Sequence, residues 1–204
     1  ALLGPNGSGK STVLNSISGL IKIKNGEIDF NNIPIHKFET YQRVGVGISH
    51  VLERRRVFPY LTVLQNLLLG AYHEKAKAER EKSLQDIYNF FPKLKDRSSQ
   101  IANTMSGGEQ QMLAIGRGLM GMPKLLMVDE PFLGLAPLVI EDLKLIFKKI
   151  AERGIAILFV EQNVRLALSM ANRGYILESG RLVIDGASKD LVDSKEVKRV
   201  FLGS

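Results

Sequence analysis

Near the start of the chain, glycines, a lysine and a serine have the spacing of a phosphate-binding loop. Residues 4–11 read Gly-Pro-Asn-Gly-Ser-Gly-Lys-Ser and fit the pattern G-x-x-x-x-G-K-[ST]. The glycines allow a tight turn whose N–H groups point at phosphate oxygens. Lys10 supplies a positive charge for the terminal phosphates, and the Ser11 hydroxyl suits Mg²⁺. A helix that begins near Lys10 adds the partial positive charge of its N-terminus.

A glycine-serine loop that precedes a helix by chance is the alternative explanation of this segment. Apolar residues come directly before it and follow it at helical spacing, so the segment has the strand–loop–helix context that phosphate binding requires. We therefore predict a nucleotide site, in which Lys10 also takes part in catalysis. The residues expected to contact the nucleotide are Gly4, Pro5, Asn6, Gly7, Ser8, Gly9, Lys10, Ser11 and Thr12.

A second group of chemically active residues follows a continuous apolar run. Residues 125–128 have the composition of a strand buried on both faces, and Asp129 and Glu130 come directly after them. Ligands of open α/β sheets bind at the carboxyl ends of the strands. Asp129 is therefore predicted to hold Mg²⁺, and Glu130 to activate a water molecule for attack on the γ-phosphate. An Asp-Glu pair in a solvated turn is the alternative, which the phosphate-binding loop disfavours.

A third motif lies between the other two, at residues 105–111, and reads Met-Ser-Gly-Gly-Glu-Gln-Gln. It resembles the signature motif of ABC transporter ATPases, which usually begins Leu-Ser-Gly-Gly-Gln, so Met105 and Glu109 are mild departures. With the three motifs in this order, the whole chain is similar to an ABC-type ATPase. The resemblance implies that ATP and Mg²⁺ are bound, and that the signature segment closes on the γ-phosphate held by another copy. The implied contacts in that segment are Ser106, Gly107, Gly108 and Glu109.

A closer resemblance is to the ATP-binding subunits of branched-chain amino acid importers and their amide and urea relatives. It is carried by segments 55–63, 105–117, 129–137 and 160–163. As in this group, Glu53 stands where most ABC proteins have a glutamine, and Gln162 where most have a histidine. The resemblance implies that Glu53 reaches Mg²⁺ or the attacking water. Gln162 would sense the γ-phosphate by hydrogen bonding, since an amide does not titrate near neutral pH. The implied metal ligands are Ser11, Glu53 and Asp129, and the implied catalytic residues are Lys10, Glu130 and Gln162.

Apolar strands that alternate with amphipathic helices predict an α/β fold with a mostly parallel sheet flanked by helices. By resemblance this is a P-loop NTPase of the ABC ATPase type with a helical subdomain. Residues 62–100 form that subdomain, whose C-terminal end extends into the signature helix. Residues 1–61 and 101–204 form the nucleotide-binding core. Because the chain opens inside an expected strand, we expect an N-terminal portion of the core to precede Ala1.

The sequence also predicts several shorter elements. Residues 37–43 are expected to form a short helix and residues 44–49 a strand. Residues 74–91 are expected to form a single charged helix that Pro92 ends. A hairpin is expected near the C-terminus, with its turn at Ser179 and Gly180.

Composition and charge limit the possible functions. The 204 residues include no cysteine, no apolar run of membrane-span length and no visible signal peptide, which favours a cytoplasmic protein. The formal charge is +7, but many lysines are interspersed with carboxylates, and Arg54-Arg55-Arg56 is the one dense basic cluster. A solvated surface is therefore favoured, and a nucleic-acid-binding module is kept as an alternative.

By resemblance, the chain is an ATP-hydrolysing motor subunit of an importer for branched-chain amino acids or related solutes such as amides or urea. The implied partners are a second ATPase subunit, identical or different, transmembrane permease subunits and, indirectly, an extracytoplasmic solute-binding protein, with no nucleic acid expected. The implied location is peripheral, on the cytoplasmic face of the inner membrane. The helical subdomain would grip a permease helix, with Phe58, Tyr60 and Leu61 as candidate contacts. Core positions of the subdomain are the alternative for these residues, and the favoured one for Phe58. A soluble ABC-type switch in translation or DNA repair is the alternative.

Overall fold

The computed structural model describes residues 1–202, along which it places eight strands and eleven α-helices. The strands are β1 (Leu2–Leu3), β2 (Asp29–Phe30), β3 (Ile33–Pro34), β4 (Ile48–Val51), β5 (Leu125–Asp129), β6 (Ala156–Glu161), β7 (Arg173–Glu178) and β8 (Arg181–Ala187). The helices are α1 (Lys10–Ser18), α2 (Thr40–Gly45), α3 (Val63–Gly70), α4 (Glu74–Ala78), α5 (Arg80–Phe90), α6 (Pro92–Asp96), α7 (Gly107–Leu119), α8 (Pro137–Glu152), α9 (Val164–Met170), α10 (Ser188–Leu191) and α11 (Lys195–Leu202).

Six of the strands form one sheet in the order β4-β5-β6-β1-β7-β8. The neighbours from β4 to β7 pair in parallel, and β7 and β8 form the antiparallel hairpin expected from the sequence. The predicted fold class, a mostly parallel sheet flanked by helices, is thus confirmed. Because parallel strands share one carboxyl edge, the segments that follow β1, β4, β5 and β6 meet at the same edge of the sheet.

Two apolar clusters cover the two faces of this sheet. Leu126 and Val128 of β5 belong to the larger cluster, which also contains residues of α3, α7 and α8. Met127, between them, belongs to the smaller cluster together with Leu14 of α1. Alternate side chains of one strand therefore enter different layers, as expected for a strand that is buried on both faces.

Two short elements begin later than the sequence predicts. The helix expected at 37–43 is α2, which begins at Thr40 because Glu39 and Gln42 form a capping box there. The strand expected at 44–49 is β4, which begins at Ile48. Gly47 precedes it in the left-handed conformation, at φ 104°, which interrupts extended structure.

The single helix predicted for 74–91 is wrong. The backbone leaves the helical region at Glu79, where φ is −101° and ψ is 16°, and this break separates α4 from α5. Pro92 was expected to end a helix, but it is the first residue of α6. Proline suits that position because the first N–H of a helix has no intrahelical partner.

The segment from 62 to 100 contains α3, α4, α5 and α6, and both α3 and α5 pack against α7. The Asn66 side chain lies fully buried at the start of this segment. Asn66 Oδ1 accepts a hydrogen bond from Phe58 N–H at 2.8 Å. Asn66 Nδ2 donates to the Phe58 carbonyl at 3.0 Å and to the Leu61 carbonyl at 3.3 Å. Along residues 1–202, no helix combines the length and the apolarity needed to cross a membrane.

Candidate nucleotide-binding and catalytic site

The phosphate-binding loop connects β1 to α1, as the sequence predicts. The Lys10 ammonium lies inside the loop and donates to the carbonyls of Gly4 and Pro5, both at 2.9 Å. Burial lowers the pKa of Lys10, and the negative charges of Glu130 and Asp129 oppose that shift. The loop therefore holds a positive charge close to the two acids predicted from the sequence.

Gly4 occupies a position that no side chain fits. A Cβ atom there would lie 2.3 Å from the Leu177 carbonyl oxygen and 2.5 Å from Ser8 Oγ. The turn between β7 and β8 also supports the loop, because Gly180 N–H donates to the Ser8 carbonyl at 3.0 Å. The sequence predicts this hairpin but gives no sign of its contact with the loop. Within the described residues, Ser8 Oγ is buried and has no hydrogen-bond partner, so the loop keeps a polar atom available to a ligand.

Three neighbouring strands end in carboxylates at the edge that the loop occupies. Glu53 lies shortly after β4, Asp129 ends β5 with Glu130 next to it, and Glu161 ends β6. Burial raises the pKa of the Asp129 carboxyl, and the nearby Ser11 hydroxyl opposes this shift. The negative charges of Glu130 and Glu53 raise the same pKa further. A cation at this edge would relieve the repulsion among these acids.

The predicted metal ligands fit Mg²⁺ by their chemistry. Asp129 Oδ1 is buried and has no hydrogen-bond partner in the part of the chain that the structure describes, and the Ser11 hydroxyl lies beside the same carboxyl. Glu53 is more exposed and pairs with Arg54, whose Nε lies 3.3 Å from Glu53 Oε1. Between residues 1 and 202 no group of three or more His, Asp or Glu residues is arranged to hold a metal ion. Mg²⁺ in such sites is commonly shared between one or two carboxylates and the phosphates of the substrate.

Glu130 and Gln162, 32 residues apart in sequence, are in direct contact: Gln162 Nε2 donates to Glu130 Oε1 at 2.5 Å. The Glu130 backbone is left-handed, with φ at 49°, and its N–H donates to the Val160 carbonyl at 3.2 Å. Such a conformation is costly for a residue with a side chain, and it is found most often at functional sites. The structure thus brings together two of the residues that the sequence analysis named as catalytic.

Glu161 is a polar residue of this site that the sequence analysis missed. It is only 7% exposed, and its carboxylate accepts from Phe132 N–H at 3.3 Å and from Gln162 N–H at 3.2 Å. Burial raises the pKa of Glu161, and these two hydrogen bonds oppose the shift. A carboxylate directly after an apolar strand was the available signal, the same one that identified Asp129.

The signature segment forms the start of α7. Ser106 caps this helix, since Ser106 Oγ accepts from Glu109 N–H at 3.4 Å and Ser106 N–H donates to the Glu109 carboxylate at 2.9 Å. Glu109 also pairs with Arg97, at 3.2 Å. Its carboxylate therefore turns back onto the cap of its own helix. A Cβ on Gly107 would lie 2.6 Å from the Arg55 guanidinium, so this glycine makes room for an arginine beside the helix N-terminus.

The basic cluster at residues 54–56 does not form a continuous stripe. Arg54 pairs with the neighbouring Glu53, and Arg55 donates to the Leu133 carbonyl at 3.5 Å, in the loop after β5. All three arginines have left-handed backbones, with φ at 62°, 67° and 36°. The side chains of Arg54 and Arg55 thus contact different parts of the molecule, so the cluster presents no continuous basic surface.

A parallel α/β sheet with this loop and this acidic edge defines a P-loop nucleotide-binding protein. Residues 1–133 match the sequence model of a family described as ABC transporter. BraG of Pseudomonas aeruginosa, named as a high-affinity branched-chain amino acid transport ATP-binding protein, is 41% identical over 99% of this chain and 86% of its own length. LivF of Archaeoglobus fulgidus, named as a probable branched-chain amino acid transport ATP-binding protein, is 36% identical over 100% of this chain and 86% of its own. The chain therefore belongs to the ABC transporter family, as one of its ATPase subunits.

Solved structures agree with this assignment. The crystal structure of a nucleotide-free ATP-binding cassette from an ABC transporter has a TM-score of 0.86 at 27% identity, over 100% of this chain and 87% of that one. The dimeric structure of a cassette bound to ADP and Pi, in a post-hydrolysis state, has a TM-score of 0.78 at 26% identity, over 92% of this chain and 84% of that one.

Proposed function

We propose that this chain is the ATP-hydrolysing motor subunit of an importer for branched-chain amino acids or for related small solutes such as amides or urea. One observation carries the hydrolytic part, the 2.5 Å contact between Gln162 and Glu130 at the edge where the phosphate-binding loop lies. The transport part is supported by the 41% identity with BraG over nearly the whole chain.

The phosphate chain of ATP binds in the loop between β1 and α1. The Lys10 ammonium, now bonded to the carbonyls of Gly4 and Pro5, exchanges these acceptors for phosphate oxygens, which bear more negative charge. Ser11, Asp129 and Glu53 would hold Mg²⁺, with Asp129 acting through the water shell of the ion. When bound there, Mg²⁺ would supply positive charge against the phosphates of ATP.

Hydrolysis uses the carboxylate of Glu130 and the amide of Gln162. Glu130 accepts a proton from the water molecule that attacks the γ-phosphate. The Gln162 amide carries two N–H donors, of which one fixes Glu130 and the second remains for a γ-phosphate oxygen. The position of the general base is thus linked to the presence of the phosphate that it helps to remove.

Two such subunits are proposed to enclose ATP between them. The first N–H groups of α7, which begins at Gly107 after the cap residue Ser106, point out of a helix of 13 residues and favour an anion. That anion is the γ-phosphate in the loop of the second copy. The dimeric cassette with ADP and Pi supports the pairing of two subunits, and the second subunit is either identical or a different ATPase.

A groove between the core and the helices of segment 62–100 is the proposed docking place of the permease. Its cavity of about 390 Å³ is lined by Phe58, Leu69 and Tyr72, which are 49%, 46% and 47% exposed. His50 Nε2 and Arg117 Nη1 are buried in the same wall without hydrogen-bond partners in the described part of the chain. An amphipathic cytoplasmic helix of a permease fits such a surface, because it buries the apolar residues and brings polar partners to the two nitrogens.

This docking would hold the subunit at the membrane through its contact with the permease. We assign it to the cytoplasmic face of the inner membrane as a peripheral subunit, with segment 62–100 acting as a helical subdomain that contacts the permease. A solute-binding protein on the other side of the membrane delivers the solute. Of the contacts named from the sequence, Phe58 lines the groove and Tyr60 is 82% exposed.

Solute uptake in cells tests the proposal. Cells of the source strain that lack the gene are supplied with the full-length protein or with its Glu130→Gln variant. Uptake of labelled leucine, isoleucine, valine, acetamide and urea is then measured. We expect the native protein alone to restore uptake of one of these classes, and to co-purify in mild detergent with multi-span membrane proteins. If the native protein does not restore uptake in the cells that lack the gene, and if it co-purifies with ribosomes or DNA-repair proteins, the result would instead support a soluble switch.

A further inference from the structure

The buried carboxylate of Glu161 lies beneath the contact between Glu130 and Gln162. Glu161 is the last residue of β6, where it lies opposite Leu3 of β1. Its two oxygens face two different loops. One accepts from Phe132 N–H at 3.3 Å, and the other accepts from Gln162 N–H at 3.2 Å.

Each of these N–H groups belongs to a segment that carries a residue of the hydrolytic pair. Phe132 lies two positions after Glu130, and its ring is fixed in the core against Phe147 and Phe159, with centroids 5.9 and 6.3 Å away. Gln162 supplies both the backbone N–H that Glu161 binds and the side-chain amide that Glu130 binds. The two loops are therefore connected twice, by a side-chain contact and, below it, by Glu161.

A carboxylate is the group that this position requires. Both of its oxygens accept hydrogen bonds, whereas a carboxamide of the same shape would place an N–H₂ donor against one of the two backbone N–H donors. Burying a carboxylate is costly unless its oxygens are satisfied, so the charge is kept where backbone donors converge on it. The negative charge of Glu130 adds to this cost, because burial and that charge both raise the pKa of Glu161.

We propose that Glu161 is a positioning residue for ATP hydrolysis, which sets the distance between the Glu130 carboxylate and the Gln162 amide through the backbones of their loops. This inference rests on the roles proposed above for Glu130 and Gln162. Glu161 touches neither the nucleotide nor the attacking water. Its effect is therefore on the rate of the chemical step rather than on ATP affinity.

Steady-state hydrolysis by the full-length protein in its assembled transporter tests the proposal. The variants are Glu161→Gln, Glu161→Asp and, as a matched control, Val160→Ala. Val160 is the preceding residue of β6, and its side chain lies in the core cluster on the opposite face of the sheet. The melting temperature of each variant is measured beside kcat and KM for MgATP, so that loss of folded protein is separated from loss of rate.

For Glu161→Gln we expect kcat to fall by about 10²-fold, since a displacement of a reacting group by about 1 Å has an effect of this size. KM should change little. Glu161→Asp keeps the charge on a shorter side chain, so its kcat should lie between those of Glu161→Gln and the native protein. If Glu161→Gln fails to fold, the test rests on Glu161→Asp: a lower kcat with little change in KM supports the positioning role.

Three results would overturn the inference: a kcat for Glu161→Gln no lower than that for Val160→Ala, a parallel change in kcat and KM, or a native kcat for Glu161→Asp. Glu130→Gln, assayed in parallel, separates this failure from failure of the proposed mechanism. If Glu130→Gln is inactive while Glu161→Gln is fully active, only the proposed role of Glu161 is contradicted. If Glu130→Gln hydrolyses ATP normally, the mechanism and the role of Glu161 fall together.

Discussion

The Gln162 amide donates a hydrogen bond to the Glu130 carboxylate across the ends of two neighbouring parallel strands, at 2.5 Å. The pairing of those strands sets this contact. Asp129 of β5 lies opposite Val160 of β6, and the Val160 carbonyl accepts from Glu130 N–H at 3.2 Å. Both side chains therefore leave the sheet from adjacent positions at the same edge.

Replacing Glu130 by glutamine should separate ATP binding from ATP turnover. The amide keeps the size of the side chain but takes up no proton, so kcat should fall by about 10²–10⁴-fold while ATP still binds. The ATP-bound dimer should then accumulate, which size-exclusion chromatography with light scattering would detect. Glu152→Gln, at an exposed position of α8, is the matched control. Native turnover by Glu130→Gln would remove this residue from the mechanism.

Replacing Gln162 by glutamate should be more harmful than replacing it by alanine. Glutamate would place a second carboxylate where the amide now contacts Glu130, and two carboxylates in one site raise the pKa of one of them. The acid limb of the pH–rate profile should therefore move to higher pH in Gln162→Glu and not in Gln162→Ala. Profiles of kcat against pH for the two variants measure this shift. Identical profiles would show that the two side chains do not face each other during turnover.

The buried side chain of Asn66 should stabilise the segment beneath the proposed permease groove. Its removal in Asn66→Ala leaves the partly buried Phe58 N–H without its acceptor. The Phe58 and Leu61 carbonyls keep the N–H groups of Leu61 and Ala102 as donors. The free energy of unfolding should fall by about 1–3 kcal/mol, as measured by urea titration. Asn89→Ala, on the exposed face of α5, should change it by less than about 0.5 kcal/mol. Equal effects of the two substitutions would contradict a structural role for this network.

His50 should make stability depend on pH in the mildly acidic range. Burial lowers the pKa of His50 from 6.5 to about 4, so the unfolded chain takes up a proton at a pH where the folded chain does not. The free energy of unfolding should therefore decrease as the pH falls from 6.5 towards 4, by up to about 3 kcal/mol. Denaturant titrations at several pH values, on the native protein and on His50→Gln, test this. The same pH slope in both proteins would remove His50 as the cause.

The nucleotide loop, the acidic strand end and the cap of α7 were predictable from the sequence because each depends on residues close together in the chain. Gly4 and Lys10 belong to one loop, and Ser106 and Glu109 to one helical turn. The order of the phosphate-binding loop, the signature segment and the acidic strand end was also enough to indicate the family. The alternation of apolar strands and helices was enough to give the parallel sheet.

The features that the sequence did not predict depend on contacts between distant segments. Sequence spacing does not reveal that Gly180 supports the phosphate-binding loop, or that Glu161 binds Phe132 N–H from below. The break at Glu79 and the helix that begins at Pro92 were missed for a different reason. There, the backbone changes direction at Glu79 with no glycine or proline to mark the break, and Pro92 is compatible with the first position of a helix as well as with the end of one.

The register between β5 and β6 determines what a misfolded form of this protein would lose. A slip of one residue in that pairing would turn every side chain of one strand to the opposite face. Val128 and Phe159, both apolar, lie opposite each other in the native register, and other apolar residues of the same strands would replace them after a slip. Glu130 and Gln162, by contrast, would no longer meet. A slip in the pairing of β5 with β6 would thus yield a chain that retains much of its core yet cannot hydrolyse ATP. ATPase activity is therefore a more sensitive test of correct folding than the compactness of the chain.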